Sequence, residues 1–247
     1  MEQRSIKDRT IAVIDYGMGN LRSVQGALEY VGKKVIVTDD PKLIEAAPAV
    51  VLPGVGAFGD AIKRLEETGL GEAFKDSVKM GKPCIGICLG LQLLFSESEE
   101  GGLYKGLNII SGRVTRFSNS SSLNFFIKQD NVLFRRKSKT LTKKKGLSEK
   151  PEVINIKVPH MGWNQLNIKK PEIPVFNDVP DGSYMYFVHS YYVSPDDKSV
   201  IAATTDYSIE FTSAIAKGNL FATQFHPEKS QEVGLKILRN FILLAED

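Results

Sequence analysis

Short apolar runs alternating with amphipathic stretches through the first hundred residues predict an α/β protein: a mostly parallel central sheet flanked by helices, with a smaller antiparallel β extension. Three observations carry this. First, TIAVIDY precedes NLRSVQGALEYV, KKVIVT precedes PKLIEAA, AVVLPG precedes AFGDAIKRLEETG and GEAFKDSVKM, and KPCIGI precedes LGLQLLFSES. Strands separated by crossover helices pair in parallel. In the helix after Asn20, which reads as its N-cap, Leu21, Val24, Leu28 and Val31 form one apolar stripe at helical spacing, suited to lie on a sheet. Second, beyond residue 105 the texture turns to short strands and turns: LNIISGRVTRF, EVINIKVP, GWNQLNI, SYMYFVHSYYV, SVIAATT and TSAIAKGNLFATQF. Third, QEVGLKILRNFILLAE closes the chain as an amphipathic helix able to pack back on that sheet. No internal repeat is visible, and one domain over residues 1–247 fits the length.

Charge divides the chain unevenly. The formal net charge is +3, yet residues 118–150 carry nine Lys/Arg against Asp130 and Glu149, leaving 23 basic and 27 acidic side chains elsewhere. A −4 body therefore carries a +7 segment, and the overall sign gives no case for nucleic-acid binding. That segment contains SNSSS and RRKSKTLTKKK without sustained periodicity, and reads as a basic insertion: a solvated loop, or a docking surface for an anionic partner. No run reaches the ~18 apolar residues of a membrane span, and MEQRSIKDRT lacks the apolar core of a secretory signal, so a cytoplasmic protein without membrane contacts is expected. Two cysteines and three distant histidines exclude a disulfide scaffold and leave poor material for zinc; no metal or cofactor is expected.

Chemistry concentrates at Gly86-Ile87-Cys88-Leu89-Gly90, between the strand KPCIGI and the helix LGLQLLF. This is a nucleophile elbow with cysteine as nucleophile: the turn strains the backbone at Cys88, and side chains two residues away on either side would collide, hence the glycines. A sulfur at a helix N-terminus is favoured as thiolate. Cys84, inside the strand, reads as an inert buried thiol. Of His160, His189 and His226, the last stands out in FATQFHPEKS: the strand Leu220–Phe225 would deliver it to the sheet edge, and Glu228 lies where its carboxylate can orient the imidazole. In Pro53-Gly54-Val55-Gly56, glycines leave backbone N–H groups free to stabilise an oxyanion. Gly54, Gly56 and Gly59 also match the dinucleotide fingerprint formally, but follow the third strand and lack the downstream acidic residue, so that reading is rejected.

Together these motifs resemble the class I (triad) glutamine amidotransferases, and most nearly the glutaminase subunits of imidazole glycerol phosphate synthases in histidine biosynthesis. The match runs through DYGMGN (Asp15–Asn20), PGVGAFGDA, GICLGLQLLF, PHMGWN (Pro159–Asn164), HSYYV (His189–Val193) and QFHPEKS (Gln224–Ser230). The resemblance implies a flavodoxin-like fold in which Cys88 attacks the carboxamide of L-glutamine, His226 moves protons and Glu228 orients it. It implies an oxyanion hole from the Gly54–Val55–Gly56 turn and the N–H of Leu89, and a glutamine subsite of Gln92, Glu100, Ser190 and Tyr191. It further implies a (β/α)8-barrel cyclase partner forming a heterodimer, with ammonia passing through the barrel, and Gly17, Asn20, Met161, Trp163 and Lys229 at the interface. Trp163 reads equally as a buried core aromatic, and Lys229 as a solvated lysine. Ala57 stands where many members have histidine, outside the triad. The 118–150 insertion leaves open a paralogue feeding amidino-sugar or other surface-polysaccharide synthesis. Two further classes remain in view: a non-catalytic partner-binding module, against which the intact triad argues, and a stand-alone cysteine hydrolase, for which the interface motifs have no purpose.

One test follows from composition alone. Limited proteolysis is expected to cut within residues 118–150 while Cys88 remains open to thiol labelling, and deletion of that segment should leave labelling unchanged. Loss of labelling in a deletion variant that still folds would refute this.

Overall fold

The computed structural model describes residues 10–117 and 157–245; the expected insertion at 118–150 lies outside them, as does most of EVINIKVP. The first half builds the expected alternation. β1 (Thr10–Ile14), β2 (Lys34–Thr38), β3 (Val50–Leu52) and β4 (Cys84–Ile87) alternate with α1 (Leu21–Tyr30), α2 (Pro41–Ala46), α3 (Phe58–Thr68) and α4 (Leu70–Lys79). β14 (Leu220–Thr223) joins β4 in parallel, giving the order β2-β1-β3-β4-β14, the flavodoxin-like arrangement in which ligands bind beyond the carboxyl ends of the strands.

Period-two alternation distributes each strand between two cores. Ala12, Ile14, Val50 and Leu52 face α2, α3 and α4, meeting Ile44, Phe58, Leu65 and Phe74. Ile11, Val13, Val51 and Ile85 face α1 and the C-terminal helix α6 (Gln231–Leu243), meeting Val24, Leu28, Ile237 and Phe241. The predicted stripe on α1 thus lies on the sheet, with Leu21 and Val31 at its partly covered ends. Asn20 occupies the N-cap position but its side chain makes no capping bond, whereas the Asp40 carboxylate accepts from Lys42 N at 2.9 Å to cap α2.

Past β14 the sheet continues antiparallel through β13 (Ile209–Lys217), β11 (Tyr191–Pro195) and β7 (Ile110–Arg116), and with four further strands it has twelve among the described residues. Two departures from expectation shape the site. The run LGLQLLFSES was expected as one helix, but α5 covers only Leu89–Leu93 before β5 (Phe95–Ser98) begins. The carbonyls of Leu93, Leu94 and Phe95, which a longer helix would need, accept instead from the amides of Leu107, Ile109 and Asn108. SYMYFVHSYYV divides at Ser190 into β10 (Tyr184–His189) and β11; β10 leaves the main sheet and pairs with β8 (His160–Gln165) as a separate antiparallel ribbon. Among the described residues no helix is long and apolar enough to cross a membrane.

Phe241, fully buried on α6, anchors this helix to the sheet. Phe241→Ala is expected to lower the unfolding free energy by about 3–5 kcal/mol, measured by chemical denaturation.

Candidate active site

Four loops at the carboxyl ends of β1, β3, β4 and β14 carry four of the six motifs singled out from the sequence, while PHMGWN and HSYYV lie on β8 and at the junction of β10 and β11. Cys88 follows β4 with φ 55° and ψ −106°, a left-handed backbone that an L residue adopts at a cost of about 1–3 kcal/mol. Its amide donates to the Thr223 carbonyl at 2.7 Å, which locks the turn to β14. The two glycines are needed for the reason expected. A Cβ on Gly86 would stand 2.8 Å from the Gly90 carbonyl oxygen, and one on Gly90 only 1.9 Å from that of Leu52. The Cys88 sulfur lies 4.0 Å from the Val188 carbonyl and 3.7 Å from Gln224 Nε2. Cys84 is fully buried, and burial pushes its thiol up to about 12 against the opposing pull of Lys82.

His226 is delivered by β14, which ends at Thr223 and lies between β4 and β13; the histidine therefore sits at the end of a central strand, not at the sheet edge. The backbone is clamped on both sides: His226 N donates to Tyr186 O at 3.0 Å, and the Ser230 hydroxyl donates to His226 O at 2.6 Å. Nδ1–H donates to Glu228 Oε1 at 2.9 Å, and the Glu228 side chain is wholly buried. Nε2 is buried without a hydrogen bond of ordinary geometry, yet the imidazole is coupled electrostatically to Cys88. Burial, the largest influence, lowers the imidazole pKa, but Cys88 and Glu228 together outweigh it and raise the value from 6.5 to about 10.

The other expected residues fall in distinct places. The Gly54–Gly56 turn follows β3 beside the elbow, with Gly56 at φ +106° and Val55 exposed. The Leu89 amide, expected to face an oxyanion, is occupied: it donates to the Gly54 carbonyl at 3.3 Å. Gln92 is buried, its amide nitrogen donating to Tyr191 O and to Gln224 Oε1, both at 3.1 Å. Glu100 Oε2 accepts from Phe58 N at 2.9 Å, at the start of α3. The Ser190 carbonyl accepts from Phe117 N at 3.0 Å, and Tyr191 is half-buried at the start of β11. Met161 and Trp163 are 61% and 47% exposed on one face of β8, which excludes the reading of Trp163 as a core aromatic. Gly17 and Lys229 are exposed and Asn20 partly so.

The model of the glutamine amidotransferase class-I family matches residues 12–245. The chain belongs to that family. It is 50% identical over 234 residues to imidazole glycerol phosphate synthase subunit HisH of Geobacter metallireducens, covering 95% of this chain and 98% of the relative. It is 51% identical to the subunit of the same name from Geobacter sulfurreducens, covering 94% and 97%. Among solved structures, a glutamine amidotransferase superimposes with TM-score 0.65 at 17% identity, covering 96% and 99%, and PurLQS from Thermotoga maritima with 0.62 at 18%, covering 96% and 98%. At such identities these two speak for the fold.

As a class-I glutamine amidotransferase, the chain also contains site residues that its motifs did not single out. Tyr16, buried within DYGMGN, donates its hydroxyl to Pro53 O at 2.9 Å and so pins the PGVG turn; burial, reinforced by Cys88, holds its phenol well above the ordinary range. Gln224 opens QFHPEKS, but only its contact with Cys88 distinguishes it from an ordinary strand-end residue.

The raised pKa of His226 has a consequence for stability. Because the folded value lies above the unfolded one, its contribution is complete below pH 6.5 and is lost as pH rises through about 10. The unfolding free energy of the wild type, relative to His226→Asn, is expected to fall across that window in denaturation series at stepped pH. A flat difference would refute the coupling.

Proposed function

We propose that this chain is the glutaminase subunit of an imidazole glycerol phosphate synthase, hydrolysing L-glutamine to glutamate and ammonia for a cyclase partner in histidine biosynthesis. The observation that carries the reading is a cysteine held at positive φ beyond a central strand and coupled to an imidazole that a buried carboxylate orients. The names of its relatives favour the histidine branch over amidino-sugar or surface-polysaccharide synthesis.

In this reading the Cys88 sulfur attacks the carboxamide carbon while His226, protonated beside it, gives its proton to the departing nitrogen. Ammonia leaves and a glutamyl thioester remains. His226, now neutral, takes a proton from water as the water oxygen attacks the thioester; glutamate departs and the thiol is restored. Glu228 holds Nδ1–H throughout, so that Nε2 serves both transfers. The oxyanion is met by the Gly54–Gly56 turn and Leu89 N–H once that amide is released from the Gly54 carbonyl. Glu100 supplies the anion for the substrate ammonium, with Ser190, Tyr191 and the free carbonyl of the Gln92 carboxamide around the amino-acid end. No cofactor enters any step.

The chain acts as a single domain with 118–150 as an insertion in it. Its partner is a (β/α)8-barrel cyclase, with which it forms a heterodimer over the elbow face through Gly17, Asn20, Met161, Trp163 and Lys229. Met161 and Trp163 lie side by side on one exposed face of β8, and this adjacent apolar pair supports the docking reading.

Glutamate release measured with and without the purified cyclase tests the assignment. Turnover is expected to rise strongly with the partner, and Cys88→Ala to reduce it by about a thousandfold or more. Inertness in both conditions, or indifference to Cys88→Ala, would exclude a glutaminase.

A further inference from the structure

Gln224 has no part in the chemistry above, yet it is fully buried and its carboxamide touches the nucleophile. Which end of that carboxamide faces the sulfur can be derived from a single atom. The Tyr191 carbonyl can only accept. It receives His189 Nδ1–H at 2.8 Å and Gln92 Nε2 at 3.1 Å. Gln92 therefore presents its NH2 group here, and the second hydrogen of that group points at Gln224, 3.1 Å away. Gln224 must answer with Oε1. Its own NH2 is left facing Cys88 Sγ at 3.7 Å. Reversing Gln224 would oppose two NH2 groups at Gln92, losing a buried hydrogen bond, and would replace the donor at the sulfur with an acceptor.

The same logic runs away from the site. With His189 Nδ1 donating, Nε2 accepts from His160 Nδ1–H at 2.9 Å, and His160 Nε2 accepts from Asn164 Nδ2 at 3.2 Å. Asn164 also donates to the Asp206 carbonyl at 2.8 Å. Both rings are neutral, pushed down by burial to about 4 for His160 and about 3 for His189, so the polarity holds throughout the neutral range. Meanwhile α5, at five residues, offers the sulfur little of the helix dipole that a longer helix would supply.

We propose that Gln224 is a positioning residue of the nucleophile: its carboxamide, held in one orientation by Gln92 and the Tyr191 carbonyl, donates an N–H to the Cys88 sulfur and favours its anionic, attacking form. This rests on the glutaminase reading for its role in turnover, but the effect on the thiol is measurable without glutamine. His226 and Tyr16 are both coupled to Cys88, with Glu228 behind the imidazole. His226 remains when Gln224 is changed, so the loss is partial.

The test is alkylation of the full chain with iodoacetamide across a pH series, each thiol followed by mass spectrometry; a carbon–sulfur bond forms as iodide leaves. Gln224→Met keeps length and volume but has no donor. It is expected to slow Cys88 alkylation at neutral pH by about tenfold, the worth of one hydrogen bond to a charged group, and to displace the profile to higher pH with the same alkaline limit. Cys84, inert while buried, reports any unfolding. A Gln224→Met profile matching the wild type overturns the proposal and leaves the glutaminase reading standing, as does a reduced alkaline limit without displacement, which signals altered access. A wild-type Cys88 that does not alkylate overturns both. Should Gln224→Met fail to fold, the side-chain amide resonances of wild-type Gln224 decide: they are expected to move with pH in step with Cys88 alkylation and to stay fixed in Cys88→Ser. Resonances that stay fixed in the wild type overturn the proposal.

Discussion

The whole arrangement depends on how closely the elbow approaches its two neighbouring strands. Gly90 lies against the Leu52 carbonyl at the end of β3, with no room for a Cβ, and the Cys88 amide is bonded to Thr223 at the end of β14. β3 leads into the PGVG turn and β14 into His226. One strained residue thus sets the sulfur in register with both His226, its proposed base, and the candidate oxyanion turn. The strain, of order 1–3 kcal/mol, is sustained because the strands on either side are buried on both faces and cannot relax without opening two cores.

Three histidines in one small region meet opposite fates, and the difference lies in their partners. His226 faces a carboxylate and a sulfur, so attraction overcomes burial and the ring is held charged. His160 and His189 face each other, an amide and a carbonyl; burial is then unopposed by any anion and both stay neutral. Neutral imidazoles each with one donor and one acceptor suit a buried chain of fixed direction, which a pair of hydroxyls, free to rotate, would not provide. The ribbon that bears Met161 and Trp163 outward turns His160 inward, and its partner strand β10 meets His226 through Tyr186 and the sulfur through Val188.

Much of this was legible in the sequence because it is local. Strand and helix order follows from periodicity within windows of ten residues, the elbow from two glycines flanking a cysteine, and the His226–Glu228 pair from a spacing of two. What escaped was decided at a distance. The helix after Cys88 stops early because residues 107–109 take its carbonyls, and no pattern within LGLQLLFSES carries that information. The single run SYMYFVHSYYV divides at Ser190 because its halves pair with different sheets. Gln224 acquires meaning only from Gln92, 132 residues earlier, and Gln92 only from the Tyr191 carbonyl. Side-chain amides and carbonyls of this kind leave no periodic trace.

The occupied Leu89 amide shows how the resting site would manage a donor that the proposed mechanism later calls on. A buried N–H without a partner costs about 1–3 kcal/mol, so an empty oxyanion hole would burden the fold whenever no substrate is bound. Here the Gly54 carbonyl fills that need at 3.3 Å, a long bond and hence a weak one. Tyr16 holds the preceding residue, Pro53, through a shorter bond of 2.9 Å. Gly54 itself could bear no side chain, since a Cβ would lie 2.5 Å from the Tyr16 hydroxyl and 2.8 Å from Leu89 Cβ. The turn is therefore firmly tethered at Pro53 and lightly tethered one residue later, where Val55 reaches solvent and Gly56 takes a positive φ. In the proposed mechanism an acyl oxyanion competing for the Leu89 amide would displace only the weaker tether, since a charged acceptor forms the stronger bond. On that mechanism, chemistry at Cys88 and the order of the PGVG turn would be linked through one donor.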